Sequence, residues 1–243
     1  MFNVFGITFF SQVESSVKKE KGNLKKAEYG ASQSQTDLMN SYFLKRRQSI
    51  SKYSKEIDGN EQKKPDEIII QLQDQGPESF EYHFVNYINS NYDIDAFSHL
   101  EKANAIYPNN AELYDDFIAH YELTDNPAEK KIYCQKLFES NVFNDGILEY
   151  NYNVLMSLEP NAILFTNGNE DTYPCWIQQE VKNIRNDVTI LNIDLLQNQH
   201  YRDKIYDKTG LKKTSTSVYE LINQTTLNNP NKPIYIGLTV NPI

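Results

Sequence analysis

Apolar and polar positions along this chain follow two rhythms. From residue 78 to 158 the period is helical. Phe80, Phe84 and Tyr87 share one face, Tyr92-Asp93 makes a turn, and Ala96, Leu100 and Ala103 continue a second helix that stops at Tyr107-Pro108-Asn109-Asn110. Tyr114, Phe117, Ile118 and Tyr121 mark the next helix. Asn126-Pro127 pairs an N-cap residue with proline at the first helical position, which predicts a helix running to about Ser140. Ile147, Leu148, Tyr152, Leu155 and Met156 predict another from about Asp145 to Leu158. Beyond residue 159 short apolar runs take over. Ala162–Thr166, Val188–Ile193 and Ile234–Val240 read as strands. Between the first two, Thr172-Tyr173-Pro174 opens a helix with Trp176, Ile177, Val181 and Ile184 inward, and helices near Gln199–Tyr206 and Val218–Leu227 follow. Strands alternating with helices require crossover connections and a parallel sheet. Upstream, Leu38, Tyr42, Phe43, Ile50, Tyr53 and Ile57 lie near helical spacing over Thr36–Ile57. Glu67–Leu72 is either a strand or the start of a helix that Gly76-Pro77 ends.

The stretch from Gly76 to Pro108 resembles a tetratricopeptide repeat. Phe80 stands at its first large position, Tyr87 at the aromatic one, Ala96 and Ala103 at the small ones, and Pro108 at the closing proline. Phe84 stands where a small residue is usual. Helix pairs of this kind stack because no pair alone buries its apolar face. The expected fold is therefore α/β in its second part and α+β overall: tetratricopeptide-like hairpins followed by a small Rossmann-like parallel-sheet module. The expected boundaries are a leader remnant at 1–11, a basic polar arm at 12–65, the helical module at 66–158 and the α/β module at 159–243. With three strands that sheet looks unfinished, so either the chain is cut short or strands come from the N-terminal segment.

Charge divides the chain. Residues 1–64 carry twelve Lys/Arg against seven Asp/Glu (12 − 7 = +5), and residues 65–243 carry twelve against twenty-six (12 − 26 = −14), which together give the net −9. The acidic body argues against a nucleic-acid groove, because phosphate contacts need basic surface. Lys18-Lys19, Lys25-Lys26 and Lys45-Arg46-Arg47 make the arm either a solvated segment or a contact for a membrane surface or an acidic partner. Met1–Phe10 is an apolar run of signal-peptide length without a basic stretch before it. It reads as a leader remnant, which places the protein in the cell envelope, periplasmic or outer-membrane associated. The alternatives are a first element of the folded body and a cytoplasmic protein.

Candidate chemistry gathers after the first strand. Asn167, Gly168, Asn169, Glu170, Asp171 and Thr172 lie outside the carboxyl end of a strand and at a helix N-terminus, where α/β folds bind ligands. Acids in a first helical turn also cap the helix by themselves. The functional alternative is a polar site for a sugar, or for Mg²⁺ or Ca²⁺ held by oxygens of Asn169, Glu170, Asp171 and, across the sheet, Asp194. No cofactor is expected beyond such a cation. There is no Gly-x-Gly-x-x-Gly, Gly-x-Ser-x-Gly or P-loop, and the four histidines (83, 99, 120, 200) lack zinc spacing. Cys134 and Cys175 either pair in an oxidising compartment or remain buried thiols. Asp115-Asp116 reads as a solvated pair with nothing to raise a pKa.

The run Pro160–Pro174 (PNAILFTNGNEDTYP), continued by Trp176, Gln179-Glu180-Val181, Ile184-Arg185, Asp187-Val188, Leu191-Asn192 and Leu195-Leu196, resembles a signature of bacterial multi-spanning, glycosyltransferase-like membrane proteins of the protein O-mannosyltransferase-like kind. Lys232-Pro233-Ile234-Tyr235 before a strand is similar too. The resemblance covers about 150–243 and implies a soluble, envelope-facing module carried after membrane spans. Where that family usually has Asp-Asn-Asp, this chain has Asn169-Glu170-Asp171, so the first carboxylate is an amide here. The expected function is a non-catalytic interaction or scaffold subunit of a bacterial envelope complex. It would hold a protein partner through the helical module, with Tyr87, Tyr92, Tyr114 and Tyr121 as candidate contacts. The alternative is a glycan-related enzyme or a sugar- or metal-binding protein using Asn167–Asp171.

Overall fold

The computed structural model of the chain describes residues 34–49, 59–209, 218–238 and 240. The leader-like run 1–11, the pairs Lys18-Lys19 and Lys25-Lys26, and Ile50, Tyr53 and Ile57 lie outside them. The chain forms two compact units, one through Asn89 and one from Ser90 onward.

The first unit holds helices α1 (Gln35–Ser49), α2 (Gly59–Gln75) and α3 (Phe80–Asn89). The segment Glu67–Leu72 is helical. Ile68 and Leu72, one turn apart, are buried while Ile70 faces solvent, a helical period and not a strand one. The Gly76 N–H donates to the Leu72 carbonyl at 2.9 Å and closes the helix as its glycine suggests. From α1, Leu38 and Tyr42 enter the core, and the Tyr42 hydroxyl donates to Asn89 Oδ1 at 3.0 Å.

In the second unit, α4 (Phe97–Ile106), α5 (Tyr114–Leu123), α6 (Pro127–Glu139) and α7 (Asp145–Ser157) form a helical repeat-like stretch. Its punctuation is carried by Asn and Asp. Asn109, Asp125 and Asn141 leave the helices at φ of 65°, 56° and 54°, a conformation their short polar side chains tolerate. Asn126 and Asn144 then cap the next helices, accepting from Glu129 N and Ile147 N at 3.3 and 3.0 Å. Aromatics fill the interior: Phe97 stacks on His120 with centroids 3.5 Å apart, and Phe117 on Tyr133 at 4.3 Å.

The parallel sheet follows, with strands β1 (Ile163–Thr166), β2 (Thr189–Asn192) and β3 (Ile234–Ile236) in the order β2-β1-β3. Every residue of β1 is buried, as a central parallel strand requires. Helix α8 (Asn169–Glu180) connects β1 to β2; α9 (Gln199–Thr209) and α10 (Val218–Asn228) lie between β2 and β3. Helices and sheet pack as one body. Lys130 of α6 is buried, its ammonium 2.8 Å from Glu122, 3.4 Å from Glu180 and 4.4 Å above the Trp176 ring. The Tyr201 hydroxyl of α9 donates to the other Glu122 oxygen at 2.9 Å. Burial alone would raise the Glu122 carboxyl; Lys130 and Lys204 outweigh it and hold the acid below its ordinary value.

Helix α8 and strand β3 differ from the expected elements, and α8 ends at Glu180, short of the expected Val181 and Ile184. Helix α8 starts at Asn169, three residues before the Thr172-Tyr173-Pro174 predicted to open it, and so contains Pro174. Proline lacks the N–H that would bond the carbonyl four residues back. That carbonyl, of Glu170, accepts instead from the buried Asn151 amide of α7 at 2.8 Å, while Asn151 Oδ1 accepts from the Cys175 thiol at 3.3 Å. Strand β3 ends at Ile236, short of the expected Val240, and the Gly237 N–H makes the last ladder bond, to the Phe165 carbonyl at 2.7 Å. Arg185, at φ 52°, closes α7: its guanidinium donates to the carbonyls of Leu155, Leu158 and Glu159 at 2.6, 2.8 and 2.9 Å and to Asp187. The Leu155 carbonyl also accepts the Leu158 N–H at 3.3 Å, so the guanidinium reinforces a helix end that its C-cap has begun to close.

Candidate functional site

The strand order puts β1 between the other two strands, so the loops after β1 and β3 diverge at its carboxyl end, the position where open parallel sheets hold ligands. Gly168 caps α8 at φ 76° and ψ −167°, backbone that glycine alone adopts readily, and it offers no capping side chain. Asp171 replaces the cap: its Oδ2 accepts the Asn167 N–H at 3.1 Å. A methyl group at Gly237 would stand 2.9 Å from that same oxygen, so the end of β3 closes directly on Asp171. Around them runs a chain of hydrogen bonds. Thr172 donates to Thr166 at 2.8 Å, Asn192 donates to Thr172 at 2.9 Å, and Asn192 Oδ1 accepts from the N–H groups of Asp194 and Leu195 at 2.8 and 3.1 Å.

Asn167, Gly168, Asn169, Glu170, Asp171 and Thr172 are thus brought together, with different roles. Thr172 is wholly buried and tied to the strands, and Asp171 is buried as a cap. The Asn169 amide points outward and donates to Asp115 Oδ2 at 2.8 Å. Asp194 is buried where β2 runs into the short turn Leu195–Gln197. Among the described residues no group of three or more His, Cys, Asp or Glu is placed to hold a metal ion.

Asp115-Asp116 overturns the expectation of a solvated pair. Asp116 is buried in the first turn of α5, and Asp115 is half-buried against Asn169. Desolvation raises both carboxyls, and the Asp115 charge raises Asp116 further. Adjacent acids on one turn look solvent-facing in sequence; the signal absent there was the approach of α8's first residue. Asn192, Thr166 and Gly237 were also not anticipated as parts of this site. The glycine inside the third apolar run was the readable sign, since a strand glycine often marks a close backbone approach.

Of the candidate partner contacts, Tyr87 and Tyr114 are buried; Tyr92 and Tyr121 are half-buried. Tyr121 leans on Phe97, Phe117 and Tyr133. Cys134 and Cys175 are free and buried, and burial raises both thiols, Cys134 to about 12, which leaves neither as a ready nucleophile.

Residues 147–239 match the family model described as TMEM260-associated domain 2, in loose agreement with the resemblance to O-mannosyltransferase-like membrane proteins. The match begins inside α7 and takes in α8 and all three strands. No curated protein and no solved structure matches the chain.

Proposed function

We propose that this chain is a non-catalytic interaction module of a bacterial envelope complex, working beside a glycosyltransferase-like membrane protein and holding a protein partner on the outer face of its helices. The observation that carries this reading is the surface of α7. Tyr150, Tyr152 and Met156 are 46%, 37% and 50% exposed, and all three fall within the stretch that matches the family model. Large apolar and aromatic side chains held out on one helix are what interfaces select. The test is crosslinking and salt-washed co-purification from native envelopes of the wild type and of Tyr150→Ser/Met156→Ser. Wild type should retain a stoichiometric partner and the double variant should lose it while keeping its circular dichroism. Equal retention by both chains would remove α7 as the contact.

A second reading is favoured by one feature of the strand-end site. The raised Asp115 carboxyl meets the exposed Asn169 amide at the start of α8, a combination of donors and acceptors that suits a neutral polyhydroxylated ligand such as a sugar. On that reading a saturating sugar raises the melting temperature of the wild type and not of Asp115→Asn. A flat response across neutral mono- and disaccharides would dispose of it.

A further inference from the structure

We propose that a groove between α7 and the end of α8 receives an arginine side chain from the partner protein. The groove has a volume of about 390 Å³, within the roughly 300–1,000 Å³ of ligand sites. Its walls are Leu148, Tyr152 and Ile184. Two carboxylates, Asp145 and Glu149, stand on α7 one turn apart, and neither makes a salt bridge with a described residue. The one lining cation, Lys182, lies over the Phe138 ring at 5.0 Å. The lining therefore carries a net charge of −1 (one Lys against two acids) on a body that is itself acidic.

The inner lining supplies the second, independent observation. Gln178 is 1% exposed, and its Nε2 donates to the Leu148 carbonyl at 2.9 Å. Its Oε1 is buried with no hydrogen-bond partner among the described residues. Buried carbonyl oxygens are nearly always satisfied, and an unsatisfied one asks for a donor. A ligand fitting this lining brings positive charge, several N–H donors and a flat apolar face for Tyr152. Guanidinium has all three: a planar fork of five donors that pairs with carboxylates and stacks on aromatic rings. An ammonium lacks the fork, and an acidic group would meet two carboxylates.

This inference rests on the interaction reading and names what the partner presents. The test is a nuclear magnetic resonance titration of the full chain with the peptide acetyl-Gly-Leu-Arg-Leu-Gly-amide and its citrulline twin, which keeps the shape and loses the charge. The arginine peptide should shift the amides of Glu149, Tyr152 and Lys182 saturably, with at least tenfold weaker binding of the citrulline peptide and of Glu149→Gln. Glu149 is exposed, so this variant keeps the fold. Absent shifts, shifts elsewhere, or equal binding of the two peptides overturn the proposal. A partner retained equally by wild type and Glu149→Gln would sink the groove and leave the interaction reading standing. Arginine binding without any retained partner would do the reverse.

Discussion

The strand-end site and the α7–α8 groove lie in the same unit, are built from similar residue types and use them differently. At the strand ends Thr166, Thr172, Asn192 and Asp171 bond one another or the backbone. Among the described residues of the groove and its surroundings, Asp145 and Glu149 have no ion-pair partners and a Gln178 oxygen has no donor. Polar groups consumed in folding give stability; polar groups left open are available for binding. Mutation should separate the two regions along that line.

The largest loss is expected for Asn151→Ala, which orphans the Glu170 carbonyl and opens a space beside Cys175. It should cost about 2–3 kcal/mol in denaturant unfolding. Adding Pro174→Ala restores an N–H to that carbonyl, so the double variant should recover part of the loss, a coupling that a double-mutant cycle reads directly. Next comes Thr172→Val, which keeps the shape and breaks the Thr166–Thr172–Asn192 chain; about 1–2 kcal/mol is expected. At the bottom is Glu149→Gln, expected to move stability by less than about 0.5 kcal/mol because that exposed carboxylate makes no salt bridge with a described residue. A cost above 1 kcal/mol there would abolish the contrast between the regions.

Acidity sharpens the comparison further. Burial raises Asp115 from 3.8 to about 6, so between those values the native chain holds more proton than the unfolded one and stability falls as pH rises. Burial lowers His120 from 6.5 to about 4, so between those values the native chain holds less proton and stability falls as pH drops. The two oppose each other between about pH 4 and 6. Asp115→Asn should therefore make acidification less favourable than in the wild type, and His120→Gln should make it more favourable. Melting temperatures at pH 4.5 and 6.5 check both signs.

How much of this was legible in the sequence depended on distance along the chain. Asn126-Pro127 announced α6 because cap and proline act within one turn, and the three strands announced themselves by apolar runs. Pro174 misled because proline at a helix start is the usual local rule. The carbonyl it frees is satisfied by Asn151 of a different helix, which no window around residue 174 contains. The partner of Asp115 was missed for the same reason, since Asn169 comes from α8. The glycine-capped loop was readable as a place, at a strand's end, but not as a set of roles: the residues expected to face a ligand include Asp171 and Thr172, which face inward.

Arg185 gives the unit a mechanical character. One side chain holds the end of α7 and the two residues after it through the carbonyls of Leu155, Leu158 and Glu159, while its neighbour Asp187 accepts the Asn161 N–H just before β1. The end of α7 is therefore tied to the start of β1 by a continuous run of hydrogen bonds through Arg185 and Asp187.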